Sequence, residues 1–131
     1  MKSEKMVVAI GIDLVEIARL EEVIKRRGSF RGRVFTDGEI SYCEHRGGAA
    51  RAASYAARFA AKEAVMKALG TGWSEGIAWK EIEVVCEASG APTIRLNGRA
   101  LERMREIGAT RVHLSLSHTG NLAVAQVVLE S

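Results

Sequence analysis

The sequence predicts an α+β fold, a mainly antiparallel sheet packed against one long central helix, and three observations predict it. An alanine-rich stretch from about Ala49 to Leu69 contains no proline and stops at Gly70, a residue suited to the left-handed position that closes helices. Near the end of the chain, Arg111 to His118 alternates apolar and polar residues. After Thr119-Gly120-Asn121 the chain returns as the apolar run Leu122 to Leu129, the pattern of a terminal hairpin. Helices and hairpins also come in runs rather than as repeated strand–helix–strand units, so a parallel sheet is not expected.

In chain order, Met6 to Ile12 is a short apolar run rich in branched residues and predicts a buried strand ending at Asp13. Leu14, Ile17, Leu20, Val23 and Ile24 then recur at helical spacing, which predicts a helix from about Leu14 to Arg27, ended by Gly28. Asp13 would stand where strand becomes helix, the place of an N-cap. Thr36-Asp37-Gly38-Glu39 has the form of a capping box, so a second helix is expected over roughly Asp37 to His45, broken by Gly47-Gly48. On the central helix, Glu63 and Lys67 are four residues apart and share a face with Phe59 and Met66. Ala60, Ala64 and Ala68 form a thin strip beside it, against which another element can pack closely. Gly70 to Gly76 reads as a turn-rich loop, Glu81 to Cys86 as a strand, Ser89 to Pro92 as a turn and Thr93 to Leu96 as its hairpin partner. A short helix follows over about Gly98 to Ile107. In the terminal hairpin Val112, Leu114 and Leu116 fall on one face and His113, Ser115 and Ser117 on the other.

The chain of 131 residues suits a single domain, 1–131, able to bury roughly two-thirds of its unfolded surface. With 47% hydrophobic and 27% charged residues it reads as globular, and no apolar run is long enough to cross a bilayer. The start, Met1-Lys2-Ser3-Glu4-Lys5, lacks the apolar core of a signal peptide, so a cytoplasmic location without a membrane partner is expected. Two distant cysteines, Cys43 and Cys86, suggest neither a zinc site nor a disulfide framework. The net charge of +3 comes mostly from Lys25 to Arg33, which suits an acidic partner.

Three polar groups stand at element ends or on the central helix: Asp13, Glu63 and His118. Two carboxylates from separate elements, without a cysteine or a histidine cluster, are poor for zinc and good for magnesium, which keeps waters and leaves positions to substrate phosphates. The structural alternatives are Asp13 as an N-cap and Glu63 with Lys67 as a surface ion pair worth roughly a few tenths of a kcal/mol.

Three ordered stretches decide between these. Gly11-Ile12-Asp13-Leu14-Val15-Glu16-Ile17, then Arg58-Phe59-Ala60-Ala61-Lys62-Glu63-Ala64 with Lys67-Ala68-Leu69-Gly70-Thr71-Gly72, and Val112-His113-Leu114-Ser115-Leu116-Ser117-His118 resemble the holo-[acyl-carrier-protein] synthase family, the small single-domain 4′-phosphopantetheinyl transferases. The resemblance covers essentially the whole chain. It implies that family's fold and a magnesium-dependent transfer of 4′-phosphopantetheine from coenzyme A to a serine of apo acyl carrier protein, releasing adenosine 3′,5′-bisphosphate and supporting fatty acid biosynthesis.

By the same resemblance, Asp13 and Glu63 bind magnesium, Lys67 is the cation near the coenzyme A phosphates, and His118 contacts the coenzyme. Arg58, Gly70, Gly72 and Pro92 also belong to the coenzyme site, and Arg19 and Arg26 on the first helix dock the acidic carrier protein. The family further implies a homotrimer with active sites between subunits. The residues leave the base for the serine proton open among a metal-bound water, Glu63 through water, and His118. Two departures from the family pattern, Ala91 before Pro92 and Ala57 before Arg58, bear on affinity. Two rival classes are weaker. A basic nucleic-acid-binding domain is disfavoured by 5% aromatic content and no basic–aromatic interleaving, and a non-catalytic trimeric protein by the presence of both acids and Lys67.

Overall fold

The computed structural model describes residues 4–72 and 76–131. In chain order these form β1 (Val7–Glu16), α1 (Ile17–Arg26), α2 (Phe30–Val34), α3 (Asp37–Glu44), α4 (Gly48–Leu69), a 3-10 turn (Trp79–Glu81), β2 (Ile82–Cys86), β3 (Pro92–Leu96), α5 (Gly98–Glu106), β4 (Arg111–Thr119) and β5 (Leu122–Glu130). Three strands form an antiparallel sheet in the order β1-β5-β4, and β2 with β3 forms a separate hairpin. The α+β class, the long helix, both hairpins and the helix after Gly98 agree with expectation.

The sheet lies on α4 because its inner face is small and apolar. Ala123, Ala125, Val127 and Leu129 of β5 are all fully buried, as are Ala60, Ala61 and Ala64 of the helix. The closest approach is at Gly11 of β1, where a Cβ would stand 2.0 Å from the carbonyl oxygen of Ala64. Only glycine permits that contact. The alanine strip therefore does receive a neighbouring element. A second, aromatic cluster joins α2, α3 and α4, with Phe35 and Tyr55 buried at its centre and Phe59 stacked on Trp79 at 5.2 Å.

Several local expectations need correction. β1 runs on to Glu16 and α1 begins at Ile17, so Asp13 is a strand residue rather than an N-cap. The ladder to β5 explains this: Asp13, Leu14, Val15 and Glu16 pair with Ala125, Val124, Ala123 and Leu122. The capping comes instead from Asn121 in the β4–β5 turn. Its carbonyl accepts from the Ile17 amide at 2.8 Å and its side chain from the Ala18 amide at 2.9 Å. The five-residue α2 was not foreseen. Met66 does not share the Glu63 face but is 2% exposed in the core, since Met66 and Lys67 flank Glu63 and the core boundary falls between them. Cys43 is buried, its thiol pushed up to about 11 mainly by burial, and Cys86 is exposed. Trp73, Ser74 and Glu75 of the expected loop lie outside the described residues. No helix among the described residues is long and apolar enough to cross a membrane.

Candidate active site

Asp13 reaches the site because β1 alternates. Ile10, Ile12 and Leu14 point away from α4, while Gly11 and Asp13 point toward it. The tight Gly11–Ala64 contact then sets Asp13 beside the next turn of the helix, where Lys67 Nζ donates to its Oδ1 at 2.9 Å and to the Ile12 carbonyl at 3.0 Å. Lys67 is thus bonded across to β1, and it lies in the last turn of α4, where the helix dipole favours a cation. Asp13 and Glu63 line one cavity of about 350 Å³, with Phe30 and Phe59 on its apolar wall and Arg19 of α1 at its rim. Among the described residues no group of three or more His, Cys, Asp or Glu is placed to hold a metal ion. Two carboxylates alone fit a hard cation that keeps waters and shares substrate oxygens, and do not fit zinc.

Arg58 and His118 are elsewhere. Five residues separate Arg58 from Glu63 and nine separate it from Lys67, turns of about 140° and about 180° around the helix. Arg58 is 4% exposed, its guanidinium lies 3.9 Å over the Tyr42 ring, and its Nε is buried with no hydrogen-bond partner. Together with Arg46, Ser117 and His118 it lines a hollow of about 290 Å³. An orphaned buried donor beside a second guanidinium and an imidazole suits an anion that supplies the missing acceptor. On its other side Arg58 borders a hollow of about 190 Å³ with Glu83 and Cys86, and Cys86 pairs with Pro92 across the β2–β3 hairpin.

His118 also borders a larger hollow, about 920 Å³, between α1 and the start of α4, which is lined by neither Asp13 nor Glu63. The smaller cavities are the ones lined by Asp13 with Glu63 and by Arg58 with Arg46, whereas Glu21, Lys25 and Arg51 stand beside His118 in this one. Gly70, with φ 76°, closes α4 one turn beyond Lys67, and Arg103 of α5 donates to the Leu69 carbonyl there at 3.0 Å. Gly72 follows with φ 59°. Arg19 and Arg26 are highly exposed on α1, each within an ion pair to Glu16 or Glu22.

One chain therefore divides the predicted residues into two groups. Asp13, Glu63 and Lys67 stand with Arg19 on one side of α4, and Arg58 and His118 stand on another, with Pro92 on the strand opposite Cys86. Tyr42 and Arg46 were missed by the sequence reading. The only signal for them was a basic residue four positions after an aromatic on a capped helix.

A model of the 4′-phosphopantetheinyl transferase superfamily matches residues 9–127. The holo-[acyl-carrier-protein] synthase of Methylobacterium radiotolerans is 50% identical over 131 residues, covering 96% of this chain and 95% of the relative. The crystal structure of the Neisseria meningitidis holo-[acyl-carrier-protein] synthase is similar with a TM-score of 0.83 at 35% identity, over 96% of this chain and 100% of that one. The Helicobacter pylori enzyme in complex with coenzyme A is similar with a TM-score of 0.78 at 34% identity, over 92% of this chain and 98% of that one.

Proposed function

The chain belongs to the 4′-phosphopantetheinyl transferase superfamily, and we propose that it moves 4′-phosphopantetheine from coenzyme A to a serine hydroxyl of apo acyl carrier protein, as a magnesium-dependent cytoplasmic homotrimer. The observation that carries this is the convergence of Asp13 from β1 and Glu63 from α4 on one cavity, with Lys67 bonded to Asp13.

In the reaction the serine oxygen forms a bond to the phosphorus that carries pantetheine. The bond from that phosphorus to the bridging pyrophosphate oxygen breaks, adenosine 3′,5′-bisphosphate leaves with the electron pair, and the serine proton passes to a base. Asp13 and Glu63 would hold magnesium, which when bound neutralises phosphate oxygens and makes the phosphorus more electrophilic. Lys67 lies one turn along the helix from Glu63 and donates toward the leaving oxygen as its charge grows. Arg19 at the cavity rim, with Arg26 farther along α1, receives the acidic carrier protein and brings its serine to the same cavity.

Arg58 and His118 hold the nucleotide end, with Arg58 Nε finding in a phosphate oxygen the acceptor it otherwise lacks. Gly70, Gly72 and Pro92 lie beside the coenzyme as backbone that can come close to it. The separation of the two groups around α4 supports a site completed by a second copy of the chain. The outer sheet face, where Ile10, Ile12 and Leu14 are 64%, 55% and 63% exposed, supports burial against such copies.

The test is an intact-mass spectrum of apo acyl carrier protein incubated with this protein, coenzyme A and magnesium, beside a tube with excess chelator. We expect a gain of one phosphopantetheine group only where the metal is free. Asp13→Ala or Glu63→Ala should slow the gain on the order of a hundredfold or more, about 2.7 kcal/mol of barrier. A gain unaffected by chelator, or by either substitution, refutes the metal role of the carboxylates.

A further inference from the structure

Lys62 and Glu39 form an ion pair that the reaction does not use. Both side chains are fully buried, with Lys62 Nζ 2.9 Å from Glu39 Oε1. Burial pushes the Lys62 ammonium toward its neutral form, and Glu39 opposes that shift. The pair's remaining bonds go to backbone. Lys62 donates to the carbonyls of Trp79, at 3.2 Å, and Ile82, while Glu39 accepts from the amides of Thr36, at 2.9 Å, and Val84, at 2.8 Å. The start of α3, the middle of α4 and the entry to β2 are thus fastened at one point.

Stability alone is a poor reason for a pair of buried charges, since apolar groups of the same shape often do as well or better. Position suggests another. Lys62 is one turn from Arg58 along α4, and Glu39 is one turn from Tyr42 along α3. The Tyr42 ring lies under the Arg58 guanidinium, and β2 walls the hollow that both residues border. We infer that the Lys62–Glu39 pair is a positioning device for the anion site. It sets the spacing of α3, α4 and β2 so that Tyr42 holds the Arg58 guanidinium toward the phosphates of the coenzyme. The inference rests on the proposed role of Arg58 as a coenzyme contact.

The test compares Lys62→Met with the double variant Glu39→Gln/Lys62→Met, which fills the same space without a buried charge. Melting temperature, calorimetric affinity for adenosine 3′,5′-bisphosphate, and the separate KM values for coenzyme A and carrier protein are measured on each. Lys62→Met alone should melt lower, because it strands the Glu39 carboxylate. The double variant should return to within about 3 °C of the parent. It should nonetheless bind the nucleotide roughly tenfold more weakly, the scale of one misplaced charge-assisted hydrogen bond, with the KM for coenzyme A raised alike and that for carrier protein unchanged.

A purely structural role predicts that affinity returns with the melting temperature, and that result overturns the inference. Arg58→Lys separates the inference from its premise. Unchanged nucleotide affinity in Arg58→Lys removes both, whereas weakened affinity there with normal affinity in the double variant removes the inference alone. Should neither Lys62 variant fold, Tyr42→Leu at an exposed position tests the last link by the same calorimetry. Weakened binding supports it and unchanged binding overturns it.

Discussion

Glu44, at the end of α3, gathers three donors: Tyr55 Oη at 2.6 Å, Arg51 Nε at 3.0 Å and Arg31 Nη1 at 3.1 Å. The Arg51 hydrogen bond, followed by that from Tyr55, holds its carboxyl down from the usual 4.5 to about 2. A carboxyl that titrates lower when folded than when unfolded gives a contribution complete above pH 4.5 and lost as pH falls toward 2. The unfolded chain binds more protons in that window, so this part of the stability rises with pH. Thermal melts of the parent and of Glu44→Gln should differ by a constant amount above pH 5 and converge below it. A gap that ignores pH would remove the ion cluster as its cause. The same α3 shows how far single residues were legible in the sequence. Thr36 and Glu39 form the expected capping box, because that motif is closed within four residues. The second engagement of Glu39, with Lys62, depends on segments distant along the chain and left no local trace.

At the scale of elements, the Gly11–Ala64 contact is the pivot on which β1 and α4 meet. Two residues along the strand from it is Asp13, and three along the helix is Lys67, so the ion pair inherits its geometry from that approach. Gly11→Ala puts a methyl group into the Ala64 carbonyl, and β1 must lift away at a cost of about 1–3 kcal/mol or more. Urea denaturation should show that loss, and the rate per folded molecule should fall as well. A destabilised protein of normal rate would separate the pivot from the site. On α1, Arg19→Glu or Arg26→Glu should raise the KM for carrier protein severalfold and leave that for coenzyme A unchanged, an effect that fades with salt. An unchanged KM for carrier protein would remove α1 as the docking helix. The alanine strip of α4 was legible because composition and period both point to a close neighbour. The start of α1 was not, because Leu14 and Ile17 satisfy a helical spacing while Leu14 also continues the strand alternation. The element that settles the choice, Asn121 capping Ile17 and Ala18, comes from 103 residues away for Ala18.

For the whole molecule, the apolar character of β1 was readable from the run Met6 to Ile12, which was expected to be buried, yet Ile10 and Ile12 are exposed on the outer sheet face, since composition says that a segment is greasy and nothing about what covers it. The division of the site is likewise a property of the assembled fold. Asp13, Glu63 and Lys67 face away from Arg58 and His118 around one helix, so in the proposed trimer each active site takes the carboxylates from one copy and the anion-binding pair from its neighbour. That arrangement can be tested by mixing. Co-expressed, differently tagged subunits carrying Asp13→Ala and Arg58→Ala/His118→Ala are each defective as homotrimers. In a cyclic trimer assembled at random from equal amounts, a given interface has both intact halves with a chance of one-half times one-half, so about a quarter of parental activity should return. If both halves came from the same copy, every site would carry one defect and mixing would restore nothing. Activity near a quarter fixes the site between copies, and activity that stays at the level of the separate variants places it within one chain.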